Sequence, residues 1–274
     1  MSFQRKFVIL SGVVFIILVG GIILFSHYRP EGFSHNPFNQ TINIAAAADL
    51  RYALDEMLPM FNREHSEIRV LATYGSSGNF YTQLTQSAPF DLYLSADISY
   101  PQKLSEQGFA VPGSLFRYAV GRIVVWTLRE NNIPVEQLGI KSLLESSVQK
   151  IAIANPRHAP YGAAAEAAMK TLGVYESVKD KLVYGENVSQ AAQFIQSGGA
   201  QIGIIALSLA LAPNLQSKGR YWEVPLASYP RLEQGGVILK WAKDPATACL
   251  WIDFMLHGGG RAVLQKYGFT FPED

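Results

Sequence analysis

From Thr41 onward the chain alternates short apolar runs with helix-compatible segments, and that alternation leaves few folds open. TINIAAAA reads as an apolar strand, and LRYALDEMLPMFNREH has helical spacing through Leu50, Leu54, Met57 and Phe61. IRVLATYG is a second strand, NFYTQLTQ opens a second helix, and FDLYLSA is a third strand. Such a βαβαβ order implies a parallel sheet with helices on its faces. FRYAVGRIVVWTL is a longer extended run at the point where a second alternation begins: KIAIANP, YGAAAEAAMKTLG, KLVYGEN, VSQAAQFIQSGGA and IGIIAL. After EVPLASYPRLEQ come GGVILKW and a last helix, ATACLWIDFMLHG, placed to return to the first lobe. The expectation is an α/β protein with two βα units of similar size.

At 274 residues the chain has enough length for two lobes and a substantial core. Charged residues make up only 16%, the net charge is +1, and no basic cluster with interleaved aromatics is present to neutralise phosphates, so nucleic acid is not an expected partner. The single cysteine, Cys249, has no partner for a disulfide or a Cys-rich metal site and is expected to be a buried structural thiol.

Residues 1–30 are different material. After Arg5 and Lys6, the run from Phe7 to Phe25 carries no charge and is long enough to cross a hydrocarbon core of about 30 Å as a helix. A cleaved secretory signal and a retained transmembrane anchor compete for it. The run exceeds the usual signal core, SHYRP offers no A-x-A-like cleavage site, and no cysteine follows to take a lipid, which favours the anchor with the bulk of the chain exported. Residues 31–40 read as a Pro/Gly/Asn linker.

Ligands of open parallel sheets bind beyond the carboxyl ends of the strands. Four strand-to-helix junctions here carry unusual residues: Ala48 and Asp49; Ser76, Ser77 and Gly78; Tyr161 and Gly162; and Asn187, Val188 and Ser189. A helix N-terminus offers unpaired N–H groups and a partial positive charge, so it attracts anions without any lysine or arginine. Ser, Asp and Asn are also the preferred caps, so each junction alone is accounted for by capping, and only the combination points to a ligand. Catalysis has little support. GSSGN is not a nucleophile elbow, the five histidines lack metal-ligand spacing, His158 reads as a loop side chain or supporting donor, and Asp91 and Asp97 bracket a strand without forming an acid–base pair.

The segments AAADLRYAL, YGSSGNFYTQL, APFDLYLSADISYPQKLSEQGFAVPGSLFRYAVGRIVVW, IANPRHAPYGAAA, GENVSQAA, GAQIGII and LQKYGF, in that order, resemble the periplasmic molybdate-binding proteins of ABC transporters. The resemblance spans about residues 41–271. It implies a two-lobed, periplasmic-binding-protein-like (type II) α/β fold with a hinge, preceded here by the N-terminal transmembrane helix. Lobe I would comprise 41–119 and 227–274, and lobe II 120–226. It further implies no enzymatic activity and no cofactor, a molybdate or tungstate ligand, ABC permease subunits as partners, a monomer, and an extracytoplasmic location.

Carried over by position, the oxyanion would be held through Asp49 with Ala48 before it, the Ser77 hydroxyl, Tyr161, and the Val188 backbone amide. Two departures stand out. Many relatives place Ser, Thr or Asn where this chain has Asp49, whose carboxylate repels an oxyanion at close range. Either its N–H makes the contact while the side chain caps the helix, or the ligand preference differs. Some relatives donate a tyrosine hydroxyl at the position of Ala206, and Tyr161 is the candidate to supply it here. Another small oxyanion, an organic anion, or a membrane-anchored anion sensor remain the alternatives.

Overall fold

The computed structural model describes residues 40–271, which build two mixed five-stranded sheets within one compact unit. The first segment runs β1 (Gln40–Ala47), α1 (Arg51–Glu64), β2 (Ile68–Gly75), α2 (Ser77–Leu84), β3 (Leu92–Ser95), α3 (Ser99–Glu106) and β4 (Phe116–Gly121). The second runs β5 (Ile123–Leu128), β6 (Ile151–Ala154), α4 (Pro160–Thr171), β7 (Leu182–Gly185), α5 (Val188–Gln196), β8 (Ile202–Ala206) and β9 (Gly219–Glu223). The chain then returns through β10 (Leu232–Ile238), α6 (Pro245–Leu256) and α7 (Gly259–Lys266). This is the two-lobed α/β architecture expected from the alternation.

In the first sheet, ordered β2-β1-β3-β10-β4, β1 pairs in parallel with β2 and β3, while β10 is antiparallel to both of its neighbours. The second sheet, β7-β6-β8-β5-β9, repeats the plan, with β5 as the antiparallel insertion. Its parallel strands β6 and β8 are buried along their whole length, which is why IAIA and IGIIA read as continuous apolar runs rather than alternating ones.

The extended run FRYAVGRIVVWTL is not one strand. It breaks at Gly121 and Arg122, so that β4 belongs to one sheet and β5 to the other, and the chain passes back between Glu223 and Leu232. Gly121 sits where side chains crowd the crossing: a Cβ there would lie 2.1 Å from the Tyr161 hydroxyl and 2.7 Å from Gln234 Nε2.

The C-terminal helices pack on the first lobe. The stripe Ala53, Leu54, Met57 and Phe61 of α1 is buried at helical spacing, and Phe61 meets Trp251 edge-on at 5.1 Å and Phe254 at 5.5 Å. Asp244 caps α6 by accepting from Ala246 N–H and Thr247 N–H. Cys249 is exposed, which corrects the expectation of a buried thiol. The inward stripe of α6 runs through Ala248, Trp251, Phe254 and Met255, and the helical period turns Cys249 outward despite its apolar neighbours.

Among the described residues no helix is long and apolar enough to cross a membrane. The expected span from Phe7 to Phe25 and the linker before Gln40 lie outside the described residues, and Gln40 itself already pairs in β1. Phe61→Ala is expected to cost about 3–5 kcal/mol of stability, measured by urea denaturation, because it empties the junction of α1 with α6.

Candidate functional site

The four junctions meet. Ala48, Asp49, Ser77, Tyr161 and Val188 all line one cavity between the lobes, together with Gly75, Ser76 and Asn187 among others. Its free volume is about 10 Å³, on the scale of a single water. No lysine or arginine is among the lining residues, and Asp49 is the one formally charged side chain there.

Capping does not account for most of these residues. Of the turns and helices that open at the four junctions, only α5 has a side-chain cap, Asn187 accepting from Gln190 N–H at 3.1 Å. Ser76 instead places its hydroxyl 2.9 Å from His158 Nδ1 on the other lobe. Ser77 is buried, and its Oγ accepts from Ala96 N–H at 3.0 Å while its carbonyl accepts from the Tyr93 hydroxyl at 2.7 Å. With that oxygen held as an acceptor, the Ser77 proton is free to donate into the cavity.

On the second lobe, Pro160 opens α4, a favoured first helical position, and Tyr161 follows with a backbone N–H that has no intrahelical acceptor. Gly162 lets α4 lie directly on β6: a Cβ would stand 2.2 Å from the Ala154 carbonyl. Val188 begins α5, so its amide is likewise one of the helix's unpaired donors.

The lobes are bonded across the cavity. Ser189 Oγ donates to the Ala48 carbonyl at 2.9 Å, and Ser208 Oγ donates to the Asp49 carbonyl at 2.7 Å. At the rim, Gly78 N–H donates to the His158 carbonyl at 2.9 Å, and Asn79 Nδ2 donates to Glu186 Oε1. His158 therefore acts in lobe contact, through both its backbone and its ring.

Asp49 is the centre of this contact. It is 1% exposed, and its Oδ2 accepts from the Tyr161 hydroxyl at 2.9 Å and from Gln234 Nε2 at 2.6 Å. Gln234 Nε2 also lies 3.0 Å from the Tyr161 oxygen. Asp49 Oδ1 is buried and has no hydrogen-bond partner among the described residues. Burial pushes the carboxyl up from 3.8 to about 6, against the opposing bonds from Gln234, Tyr161 and the backbone N–H groups of Asp49 and Leu50. Burial, and then the Asp49 charge, holds the Tyr161 hydroxyl well above the usual phenol range.

Two expectations change here. The Asp49 side chain does more than serve its own turn; its Oδ2 bridges the lobes. The single Tyr161 proton goes to Asp49, so in this arrangement the hydroxyl is not a donor into the cavity, and the backbone N–H is what that junction offers. A phenol has one proton, and a buried carboxylate is its stronger acceptor.

Gln234 and Ser208 were not expected from the sequence, and Ser189, placed at the fourth junction, was not expected to bond across the lobes. Gln234 was discoverable as a long polar side chain on the strand LEQGGVI, where it is fully buried while its neighbour Glu233 is part-exposed. Ser208 gave no signal, since it reads as an ordinary first-turn residue. Asp91 and Asp97 are structural: Asp91 accepts from Asn43 N–H and Lys243 N–H, and Asp97 accepts from Ser99 N–H. Among the described residues no group of three or more His, Cys, Asp or Glu is placed to hold a metal ion.

Comparison with known proteins fits this geometry. Residues 42–270 match the family described as bacterial extracellular solute-binding protein. The chain is 40% identical over 226 residues to the molybdate-binding protein ModA of Rhodobacter capsulatus, covering 82% of this chain and 86% of that protein. It is 33% identical to the molybdate-binding protein ModA of Azotobacter vinelandii, over 83% and 89%. The solved periplasmic molybdate-binding protein of Azotobacter vinelandii superposes with a TM-score of 0.78 at 30% identity, covering 85% of this chain and 100% of that one. The resemblance read from the sequence is borne out.

The folded state holds the Asp49 proton more tightly than an unfolded chain does, so ionising it between pH 3.8 and about 6 costs stability, and above that range the charge depends on its donors. Tyr161→Phe is therefore expected to destabilise by about 1–3 kcal/mol near pH ~8 and by less near pH ~5, where the carboxyl is neutral. Chemical denaturation at the two pH values checks it.

Proposed function

The chain belongs to the family of bacterial extracellular solute-binding proteins, and we propose that it captures molybdate or tungstate between its lobes for an ABC importer. The observation that carries this reading is the cation-free interlobe cavity where all four junctions present donors. A buried dianion without partners is prohibitively costly, but several hydrogen bonds to its oxygens and the ends of helices directed at it replace the lost hydration.

The Ser77 hydroxyl and the backbone N–H groups of Asp49, Tyr161 and Val188 are the proposed donors, with Ala48 shaping the first junction. Each contact is to an oxygen of the anion, and no protein atom is a ligand of the metal. Electrostatics without a fixed cation favours an ion whose size matches the donor spacing.

The lobes, 41–119 with 227–274 and 120–226, would close on the ligand about the two passages between the sheets, as in hinge closure. The interlobe bonds at Asp49, Ser189, Ser208 and Gly78 support that motion as the closed form's latch. We place the protein outside the cytoplasm as a monomer working with the permease and ATPase of its importer. The uncharged run from Phe7 to Phe25 would tether it to the membrane.

A second reading, a small oxyanion that carries a hydrogen, is favoured by the Asp49 carboxyl of the cavity lining, whose buried Oδ1 makes no hydrogen bond of normal geometry. Isothermal titration of the full chain in detergent with molybdate, tungstate, sulfate and phosphate separates the two. Binding of molybdate or tungstate with little heat from the others is expected, and silence with both would sink the first reading. Ser77→Ala is expected to weaken molybdate binding by about 1–3 kcal/mol, the loss of one donor to a buried charge; unchanged affinity would show that the cage is elsewhere.

A further inference from the structure

Asp49 poses a physical problem that the donor cage alone does not solve. Its Oδ2 is saturated by Tyr161 and Gln234, whereas its buried Oδ1 makes no hydrogen bond of normal geometry, with only the backbone N–H groups of Asp49 and Leu50 acting on the carboxyl besides, and the residue lines the cavity. An oxyanion entering that cavity brings only further acceptors. Two acceptor groups, both negative, would then face each other in a buried site, with neither able to donate.

No cation relieves this. The side chains that face Asp49 are Tyr161 from α4, Gln234 from β10 and Tyr118 from β4, all neutral donors or phenols. The serine hydroxyls that approach the turn, Ser189 from α5 and Ser208, are committed to backbone carbonyls. Arg51, two residues along, has its guanidinium over the Tyr74 ring at 4.9 Å, and Arg122 at the crossing pairs with Glu223 at 2.7 Å.

We propose that the closed site takes its tetrahedral oxyanion together with one proton, held between Asp49 Oδ1 and an oxygen of the ligand. The inference rests on the oxyanion reading above and makes Asp49 its selectivity element. The proton comes from solvent and stays with the complex, as an O–H on Oδ1 donating to the anion or on the anion donating to Oδ1. In either form the unpartnered acceptor gains its hydrogen bond and the total charge in the cavity is that of the anion alone. Asp49 thus replaces a neutral donor with a conditional one, present only when a proton is taken up, so that binding is linked to pH with a defined sign. Above the range in which the free carboxyl titrates, affinity falls as pH rises, because the complex holds a proton that the separate partners do not.

The test is a proton inventory of molybdate binding to the full chain, by titration calorimetry near pH ~8 in two buffers of different ionisation heat. About one proton taken up per anion is expected, with Kd rising about tenfold per pH unit above neutrality. Asp49→Asn, whose amide donates without titrating, is expected to bind with no uptake and a flat pH profile. Molybdate binding by the unaltered protein without net uptake would overturn the proposal, and so would uptake that persists in Asp49→Asn. The first result needs no variant, so a misfolded variant leaves the proposal testable. Absence of heat with every anion would be a failure of the oxyanion reading itself, a different outcome from binding without a proton.

Discussion

The hydrogen bond from the Tyr161 hydroxyl to Asp49 Oδ2 is the contact on which the arrangement of the two lobes turns. It joins the first turn after β1 to the first turn of α4, and Gln234 of β10 fixes both ends at once. The chain crossing between the sheets packs onto the same three groups, since Gly121 has no room there for a side chain. One buried polar cluster therefore touches both lobes and the passage between them. Such a cluster rigidifies when satisfied and is costly when it is not, so it ties lobe position to the state of a single carboxyl.

Around that cluster, the cavity obtains its polarity from backbone rather than from charged side chains. The parallel strands of both sheets end at the same cleft, so the helices that follow them point their N-termini inward from two sides. Glycines permit the approach where a side chain would block it: Gly162 brings α4 onto β6, and Gly78 brings α2 within hydrogen-bond distance of the His158 carbonyl. Ser77 adds a hydroxyl whose orientation is set by Ala96 N–H. The result is a donor-rich cleft with no lysine or arginine in its lining.

Much of this was legible beforehand. The alternation of apolar runs and helical stripes predicted the two βα units, and the convergence of Asp49, Ser77, Tyr161 and Val188 followed from where open sheets bind ligands. What failed did so for local reasons. Cys249 lies in an apolar segment, but the helical period, set by Trp251 and Phe254, turns it to solvent. FRYAVGRIVVWTL reads as one extended run with the lobe boundary inside it at 119/120, and the two strands separate at Gly121 and Arg122.

The sequence by itself determined the elements, their order and the residue types at each junction, because these depend on periodicity and on neighbours within a few positions. Only the tertiary structure decided which group each polar side chain meets. Asp49 and Tyr161 are 112 positions apart, and Asp49 and Gln234 are 185 apart. At such separations no local pattern distinguishes a helix cap from an interlobe bridge, or a phenol that donates to a ligand from one that donates to a buried carboxylate. The fold brings these groups together in a buried space, and there the strongest available acceptor takes the proton.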